Sequence, residues 1–427
     1  MTKAQNKVRG PVGRDSDNTE FGFEVVHVVP SLALRAGGPA VCVAECAAAM
    51  LHLGVQSRVF ATDLPGPPQA RRQPSVSESE FPPAARALDV TIAPVRWPRR
   101  FAFAPSLRRS LEAAAQHADL VNIHSLFLYP QFAAWRAAVR AGTPYVVTVH
   151  GALDPYLRRR GRVRKLVTDL VWQRRMLNGA AALQFATIEE AQLVGDIAPS
   201  VPRIVVPLGV DAMAFRDLPS SSDFRNRRLG GHDGPVVLAL GRLAQKKGLD
   251  ILICAFAGMS ARHPDAVLVL AGPDDEGIGS SLQDLAESLG VAHRVFFPGM
   301  LFREERLEAL SAATVWALPS HTENFAIAAL EALAAGVPVI LSPAVNLAPR
   351  LEAEQAAIVA DATPEAFGRA IDDLLSRPDL RAELSQAGRE FAWRYDWSEV
   401  AVETAQTYAG LLSMSPPSEQ RLTAPRT

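Results

Sequence analysis

Residues Val315 to Leu341 read VWALPSHTENFAIAALEALAAGVPVIL. An apolar run, Val315–Leu318, stops at Pro319; a polar stretch, Ser320–Asn324, follows; a helical pattern runs to Gly336, and Val337–Leu341 is apolar again. That order predicts a strand, a loop, a helix and a second strand. In a parallel sheet such a unit brings a helix N-terminus, with unpaired N–H groups and partial positive charge, to the edge where phosphates bind. Glu323 and Glu331 flank that point, a separation of roughly 12 Å if the segment is helical throughout. A nucleotide sugar has this shape. Its diphosphate would lie over the amides of Asn324, Phe325, Ala326 and Ile327, with hexose hydroxyls toward Glu323 and ribose hydroxyls toward Glu331, both carboxylates accepting charge-assisted hydrogen bonds. A structural reading stands beside it: Ser320-His321-Thr322-Glu323 also matches a helix capping box, and Glu331 also suits a solvated helix position.

Pro319-Ser320, Glu323-Asn324-Phe325, Glu331 to Gly336 and Pro338-Val339-Ile340 resemble the nucleotide-sugar signature of the retaining glycosyltransferases of family four. The resemblance implies an α/β GT-B fold, with two Rossmann-like doubly wound domains facing an interlobe cleft. It also implies transfer of a hexose-type sugar from a nucleotide diphosphate sugar to an acceptor hydroxyl with retained configuration.

The chain has 427 residues, 48% of them hydrophobic and 21% charged, enough for a core in each of two domains. Its net charge of −1 hides an asymmetry: 25 Lys and Arg against 16 Asp and Glu through Leu208, then 19 against 29. Opposite signs on two lobes differ from the concentrated basic domain of a nucleic-acid binder, and no such partner is expected. Three cysteines without a C-x-x-C pair point to reduced thiols, and the polar first twenty residues lack the apolar segment of a signal peptide. A cytoplasmic protein is expected, peripheral at most to the inner face of a membrane.

Residues 1–21 read as disordered and Phe23–Pro30 as a buried strand. Gly37-Gly38-Pro39 opens a helical run, with proline where its missing N–H costs little; by resemblance the glycine pair lies near donor phosphate and acceptor. Asp63–Pro83 reads as a long loop. Strands and helices alternate as far as strand Tyr145–Val149, which ends at His150-Gly151. A histidine at that strand end points toward the ligand crevice, and the family has a donor-contacting histidine there; His124, ending the preceding strand, is a weaker candidate. Tyr156–Leu177 is the most basic stretch, with Leu166, Val167, Leu170 and Val171 at helical spacing. Either it is a solvated amphipathic helix or, with the basic and aromatic patch Arg96–Arg109, it docks on an anionic membrane surface.

Leu208-Gly209-Val210-Asp211 resembles the family's interdomain turn, with Leu208 where asparagine is common, and the polar segment Asp217–Pro235 fits a linker. Strand Val236–Leu240 leads to Arg242, Lys246 and Lys247. Arg242 and Lys247 suit a departing diphosphate, the first as a bidentate fork and the second as a point charge, with Lys246 as the tandem alternative. Ala326 replaces a glycine frequent in the family, and a positive φ there would not come easily. The implied organisation is an acceptor domain 22–208, a donor domain 209–390, a helix 391–412 crossing back to the first domain, and a disordered tail 413–427.

In the implied mechanism Arg242, Lys247 and the helix amides stabilise the diphosphate while Glu323 and His150 orient the hexose. The cations take the role of a metal, so none is expected, and no cofactor is expected beyond the nucleotide sugar as co-substrate. Partners are that donor and a carbohydrate or lipid-linked acceptor, in polysaccharide, glycolipid or other glycoconjugate synthesis. Rival readings are a sugar-nucleotide epimerase, a glycan phosphorylase, or a non-catalytic nucleotide-sugar sensor.

Overall fold

The computed structural model describes residues 21–64, 80–159 and 162–414. The expected disorder of residues 1–20, most of the loop expected over Asp63–Pro83 and the tail beyond Met414 lie outside the described residues. The chain divides into two units, one running through Pro207 and resuming at Trp397, the other spanning Leu208–Asp396.

The first unit is built on seven strands: β1 Glu24–Ser31, β2 Gln56–Thr62, β3 Asp89–Ala93, β4 Leu120–His124, β5 Tyr145–Thr148, β6 Ala182–Phe185 and β7 Arg203–Val205. They lie in the order β3-β2-β1-β4-β5-β6-β7, and every pairing is parallel. The second has six, β8 Val236–Leu240, β9 Val267–Ala271, β10 Val295–Gly299, β11 Val315–Leu318, β12 Val339–Leu341 and β13 Ile358–Val359, in the order β10-β9-β8-β11-β12-β13. Both are the doubly wound order in which the sheet grows outward in two directions from its first strand. Helices cover both faces, so these strands are near-continuous apolar runs; β8, β9 and β11 are buried along their whole length. In such sheets the loops beside the first strand splay apart, between β1 and β4 in one unit and β8 and β11 in the other, and open a crevice at the carboxyl edge.

Trp397–Met414, the last helix, packs with the first unit, where Val400, Ala401, Ala405 and Tyr408 are buried. The Tyr408 hydroxyl donates to Gln184 Oε1 at 2.8 Å and accepts from Asn122 Nδ2 at 2.6 Å, and Asn122 Oδ1 accepts from the Thr148 hydroxyl. This helix starts at Trp397, not residue 391. Pro378–Trp393 is a separate helix of the second unit, in which Tyr395 stacks on Phe391.

Two further expectations are corrected. The segment expected as a linker carries the helix Ser222–Leu229, anchored by fully buried Phe224 and by Arg225, which donates to the carbonyls of His232, Gly234 and Ala312. The basic stretch is not one helix. It runs as Pro155–Arg159, Arg162–Thr168, a π turn Asp169–Gln173 and Arg174–Asn178. Its core face is Trp172, Gln173, Met176 and Leu177, whereas Leu166, Val167, Leu170 and Val171 are 52–65% exposed. Among the described residues no helix is long and apolar enough to cross a membrane.

Candidate functional site

In the second unit, the loops after β8 and β11 meet. The turn Gln245–Lys247 closes at Gly248, whose φ is +63° and where a Cβ would stand 2.2 Å from the Pro319 carbonyl oxygen. Glycine at 248 therefore lets the lysine loop rest against the end of β11. The His321 N–H then donates to the Lys246 carbonyl at 2.8 Å. From the other side, the loop after β12 holds Glu323: its N–H donates to the Ala344 carbonyl, and its carbonyl accepts from the Asn346 N–H, each at 3.1 Å. Asn346 Nδ2 also reaches Asn324 Oδ1 at 3.4 Å.

So held, Glu323 Oε2 lies 2.5 Å from Lys247 Nζ and 3.3 Å from Lys246 Nζ. Burial pushes the Glu323 carboxyl up, but Lys247 and then Lys246 outweigh it and bring it down to about 2. Burial is also the main influence on Lys247 and lowers its ammonium; Lys246 and Arg242 lower it further, against the pull of Glu323. Arg242 is exposed and forms no ion pair among the described residues. Glu323 thus faces two lysines, and Arg242 lies close enough to Lys247 to act on it, an excess of positive charge that suits an anion. Lys246, the tandem alternative in the sequence, shares the site with Lys247.

No capping box forms. The helix Ile327–Ala334 begins behind Ala326 rather than Ser320, and Glu323 turns to the lysines. Ala326 adopts φ +57°, ψ +58° despite its Cβ, a left-handed conformation that costs an alanine about 1–2 kcal/mol. Its carbonyl accepts from Ala329 and Leu330, while the Ile327 and Ala328 N–H groups meet no backbone acceptor among the described residues. The Phe325 ring is committed to the core, edge-on to Tyr395 with centroids 5.8 Å apart. Glu331 is the fifth helical residue, one turn in, and its carboxylate pairs with Arg306 from the helix Arg303–Ala312. Arg306 was not singled out from the sequence, because REERLEALSA reads as an ordinary surface helix.

In the first unit, the helix Gly38–Leu51 begins behind Gly37, at φ +93° with open space where a Cβ would stand. His150 follows β5 at φ +50°, a strained value for a non-glycine residue. The turn is held by Glu190, which accepts from the Gly151 N–H at 2.6 Å and the Ala186 N–H at 2.7 Å. Glu190 sits in a helix capped by Thr187, whose Oγ1 accepts the Glu190 N–H at 3.0 Å. His150 does not stand alone. Its Nε2 lies 3.0 Å from His124 Nδ1, and His124 Nε2 lies 3.1 Å from His27 Nδ1. The rings stack at centroid distances of 5.3 and 5.4 Å. Burial lowers His27 and His150 to about 4, and burial together with its two histidine neighbours holds His124 well below the usual value, so all three are neutral at pH 7. His27 passed unnoticed inside the apolar strand FEVVHVVP.

Of the sequence candidates, Arg242, Lys247, Glu323 and the helix start thus share one neighbourhood in the second unit, with Glu331 engaged by Arg306. His150, Gly37 and Gly38 belong to the first.

Two doubly wound units, one with Arg242, Lys246 and Lys247 gathered beside its first strand, have the architecture of a GT-B enzyme. The model of glycosyl transferases group 1 matches residues 221–391, and that of the glycosyl transferase 4-like domain matches 37–209. The chain belongs to the group 1 glycosyltransferases. It is 31% identical over 379 residues to the D-inositol 3-phosphate glycosyltransferase of Saccharomonospora viridis, covering 85% of this chain and 86% of that one. It is 31% identical over 394 residues to the enzyme of that name from Acidothermus cellulolyticus, covering 88% and 86%. Among solved structures, Anabaena HepE in complex with UDP and glucose matches with TM-score 0.71 and 18% identity, over 91% of this chain and 100% of that chain. Sucrose-phosphate synthase from Thermosynechococcus elongatus matches with TM-score 0.72 and 21% identity, over 92% and 100%. These structural likenesses establish the GT-B fold.

Proposed function

We propose that this glycosyltransferase moves a hexose from a nucleoside diphosphate sugar to an acceptor hydroxyl with retention of configuration. The reading is carried by the excess positive charge of Lys246 and Lys247 at Glu323, with Arg242 near Lys247, beside the helix that starts at Ile327. The diphosphate takes the free Arg242 and the Ile327 and Ala328 amides. Lys247, held by Glu323 until the donor arrives, neutralises the charge that grows on the leaving phosphate. These side chains supply the compensation that a metal ion supplies elsewhere. The family resemblance gives Glu323 and His150 the hexose hydroxyls and Gly37 and Gly38 room for the substrates, and the departing phosphate oxygen takes the acceptor's proton. Retention and the hexose rest on the family resemblance. The UDP and glucose of the Anabaena structure make UDP-glucose the first donor to test, and the inositol 3-phosphate named for the relatives the first acceptor beside carbohydrate and lipid-linked ones.

Calorimetry with UDP, GDP and ADP, alone and as sugar donors, followed by transfer assays, tests this. One nucleotide is expected to bind, and Glu331→Gln to weaken the bare nucleotide and the full donor alike. Glutamine is the safer change, since its amide oxygen still accepts a hydrogen bond from Arg306, which alanine cannot. Unchanged affinity would assign Glu331 to the Arg306 ion pair alone; binding without any transfer would favour a sensor.

The same reading places the enzyme at an anionic membrane surface. Leu166, Val167, Leu170 and Val171 form an exposed aliphatic stripe that continues, at four-residue spacing, into exposed Arg174 and Arg175. Apolar side chains beside cations suit a lipid interface. Co-sedimentation with vesicles containing anionic lipid is expected at low salt, with Leu170→Asp/Val171→Asp abolishing it and high salt weakening it. Equal sedimentation of wild type and variant would remove the stripe from membrane contact.

A further inference from the structure

The three stacked histidines carry more than a contact for the sugar. A neutral imidazole has one N–H and one bare nitrogen, so each ring can donate one hydrogen bond and accept one. The two links, His27 Nδ1 to His124 Nε2 and His124 Nδ1 to His150 Nε2, therefore permit only two arrangements of protons. In one, His27 Nδ1–H donates to His124, His124 Nδ1–H donates to His150, and the last proton sits on His150 Nδ1. In the other, every proton is reversed: His150 Nε2–H donates inward, His150 Nδ1 is bare, and His27 carries its proton on Nε2.

The buried end of the chain decides between them. His27 is 2% exposed, and its Nε2 is buried with no hydrogen-bond partner among the described residues. The second arrangement would bury an N–H with no acceptor, and orphaned N–H groups are the rarer defect in folded proteins. The first buries a lone pair instead. At the other end, His150 Nδ1 has no protein partner among the described residues, so the protein leaves that nitrogen to a ligand.

We propose that His27 and His124 are positioning residues that fix His150 as the Nδ1–H tautomer, presenting a hydrogen-bond donor at the end of β5. Combined with the function proposed above, on which this contact rests, the Nδ1–H is offered to a hydroxyl oxygen of the transferred sugar. The remaining geometry supports the assignment. His27 pairs in register with Asn122, and His124 with Thr148, so the rings come from neighbouring strands with little freedom to slide. Glu190 holds the strained His150 backbone through Gly151, which keeps Nε2 turned inward. A ring free in solvent exchanges between tautomers; one at the end of this stack does not.

The test starts with the substrate-free wild-type enzyme, full length and labelled with 15N-histidine, at neutral pH. Long-range 1H–15N correlation spectra, assigned with a His150→Gln variant, report which nitrogen carries the proton. His150 is expected as a single Nδ1–H species; a dominant Nε2–H species would overturn the proposal, and the conservative His150→Gln change serves only to assign the signal. His27→Leu is then expected to restore a mixture of tautomers at His150 and to lower kcat by about five- to tenfold, the loss that follows when only a fraction of molecules is competent. KM for the donor should stay near its wild-type value. His27→Asn, whose amide N–H takes the place of Nδ1–H, is expected to recover most of the rate. Equal loss in the leucine and asparagine variants, with His150 still Nδ1–H, would reduce His27 to a packing residue and overturn its role. A His150→Ala enzyme with undiminished transfer would instead remove the sugar contact from the proposed function, while the spectra of wild type still decide the tautomer.

Discussion

Lys247→Ala is expected to slow sugar transfer by about 10²-fold or more, the scale for losing one preorganised electrostatic contact in a desolvated site. The side chain is mostly buried, its Nζ 2.5 Å from Glu323, so its charge is already stripped of much of its water and fixed in place before the donor binds. Lys246 lies farther from the carboxylate, at 3.3 Å, and Lys246→Ala should cost less. The same change acts on Glu323. With both lysines its carboxyl sits at about 2, so the ion pair's stabilisation is complete above the ordinary glutamate value near 4.5 and fades only as pH falls toward 2. Without Lys247, burial regains ground and the carboxyl rises, moving the acid limb of the activity profile to higher pH. Steady-state transfer across pH 4–8 for the three proteins measures both effects. A Lys247→Ala enzyme with wild-type kcat and acid limb would take the diphosphate charge away from this lysine.

Gly248→Ala is expected to destabilise the second unit by about 2–5 kcal/mol, combining a left-handed alanine with an overpacked contact. Gly230→Ala provides the comparison. Both glycines have φ +63°, but a Cβ at 230 meets nothing within 4 Å, whereas at 248 it stands 2.2 Å from the Pro319 oxygen. The Gly230 change should therefore cost only the backbone term, and the difference between the variants measures the clash. Urea unfolding midpoints at constant m-value give both numbers. Equal losses would mean that the lysine loop moves aside, and transfer by Gly248→Ala should then fall as Lys247 shifts with it.

The alternation of apolar runs and glycine-marked loops was enough to read two doubly wound sheets, because strands covered on both faces must be apolar throughout. The proposed anion site was legible for the same reason: Arg242, Lys247 and Glu323 stand where apolar runs end. What escaped was set by contacts distant in sequence. His27 sits in the middle of an apolar strand, and only the β1–β4 pairing brings it to His124, 97 residues away. Arg306 lies in a polar helix whose neighbour, Glu331, comes from another element. The helix Ser222–Leu229 offers a single buried aromatic among charges, too little periodicity to separate it from a linker. Leu166, Val167, Leu170 and Val171 have the spacing of a buried face, yet the core took Trp172, Met176 and Leu177 instead. Ala326 shows the limit of a residue preference: the contacts at both ends of the loop outweigh the resistance of one Cβ.

The return of the last helix to the first unit has a consequence for biosynthesis. The strands β1–β7 are all made by Pro207, but Tyr408, the partner of Asn122 and Gln184, is polymerised 201 positions later. At ordinary elongation rates that gap lasts roughly 10–40 s. Throughout it the nascent sheet leaves exposed the apolar patch of Val25, Leu120, Val146 and Ala182 that Ala401 and Ala405 later cover. The second unit is contiguous and has all its strands before the helix emerges. The half synthesised first is therefore the half completed last, and while the ribosome is still at work that uncovered patch is a natural target for a chaperone.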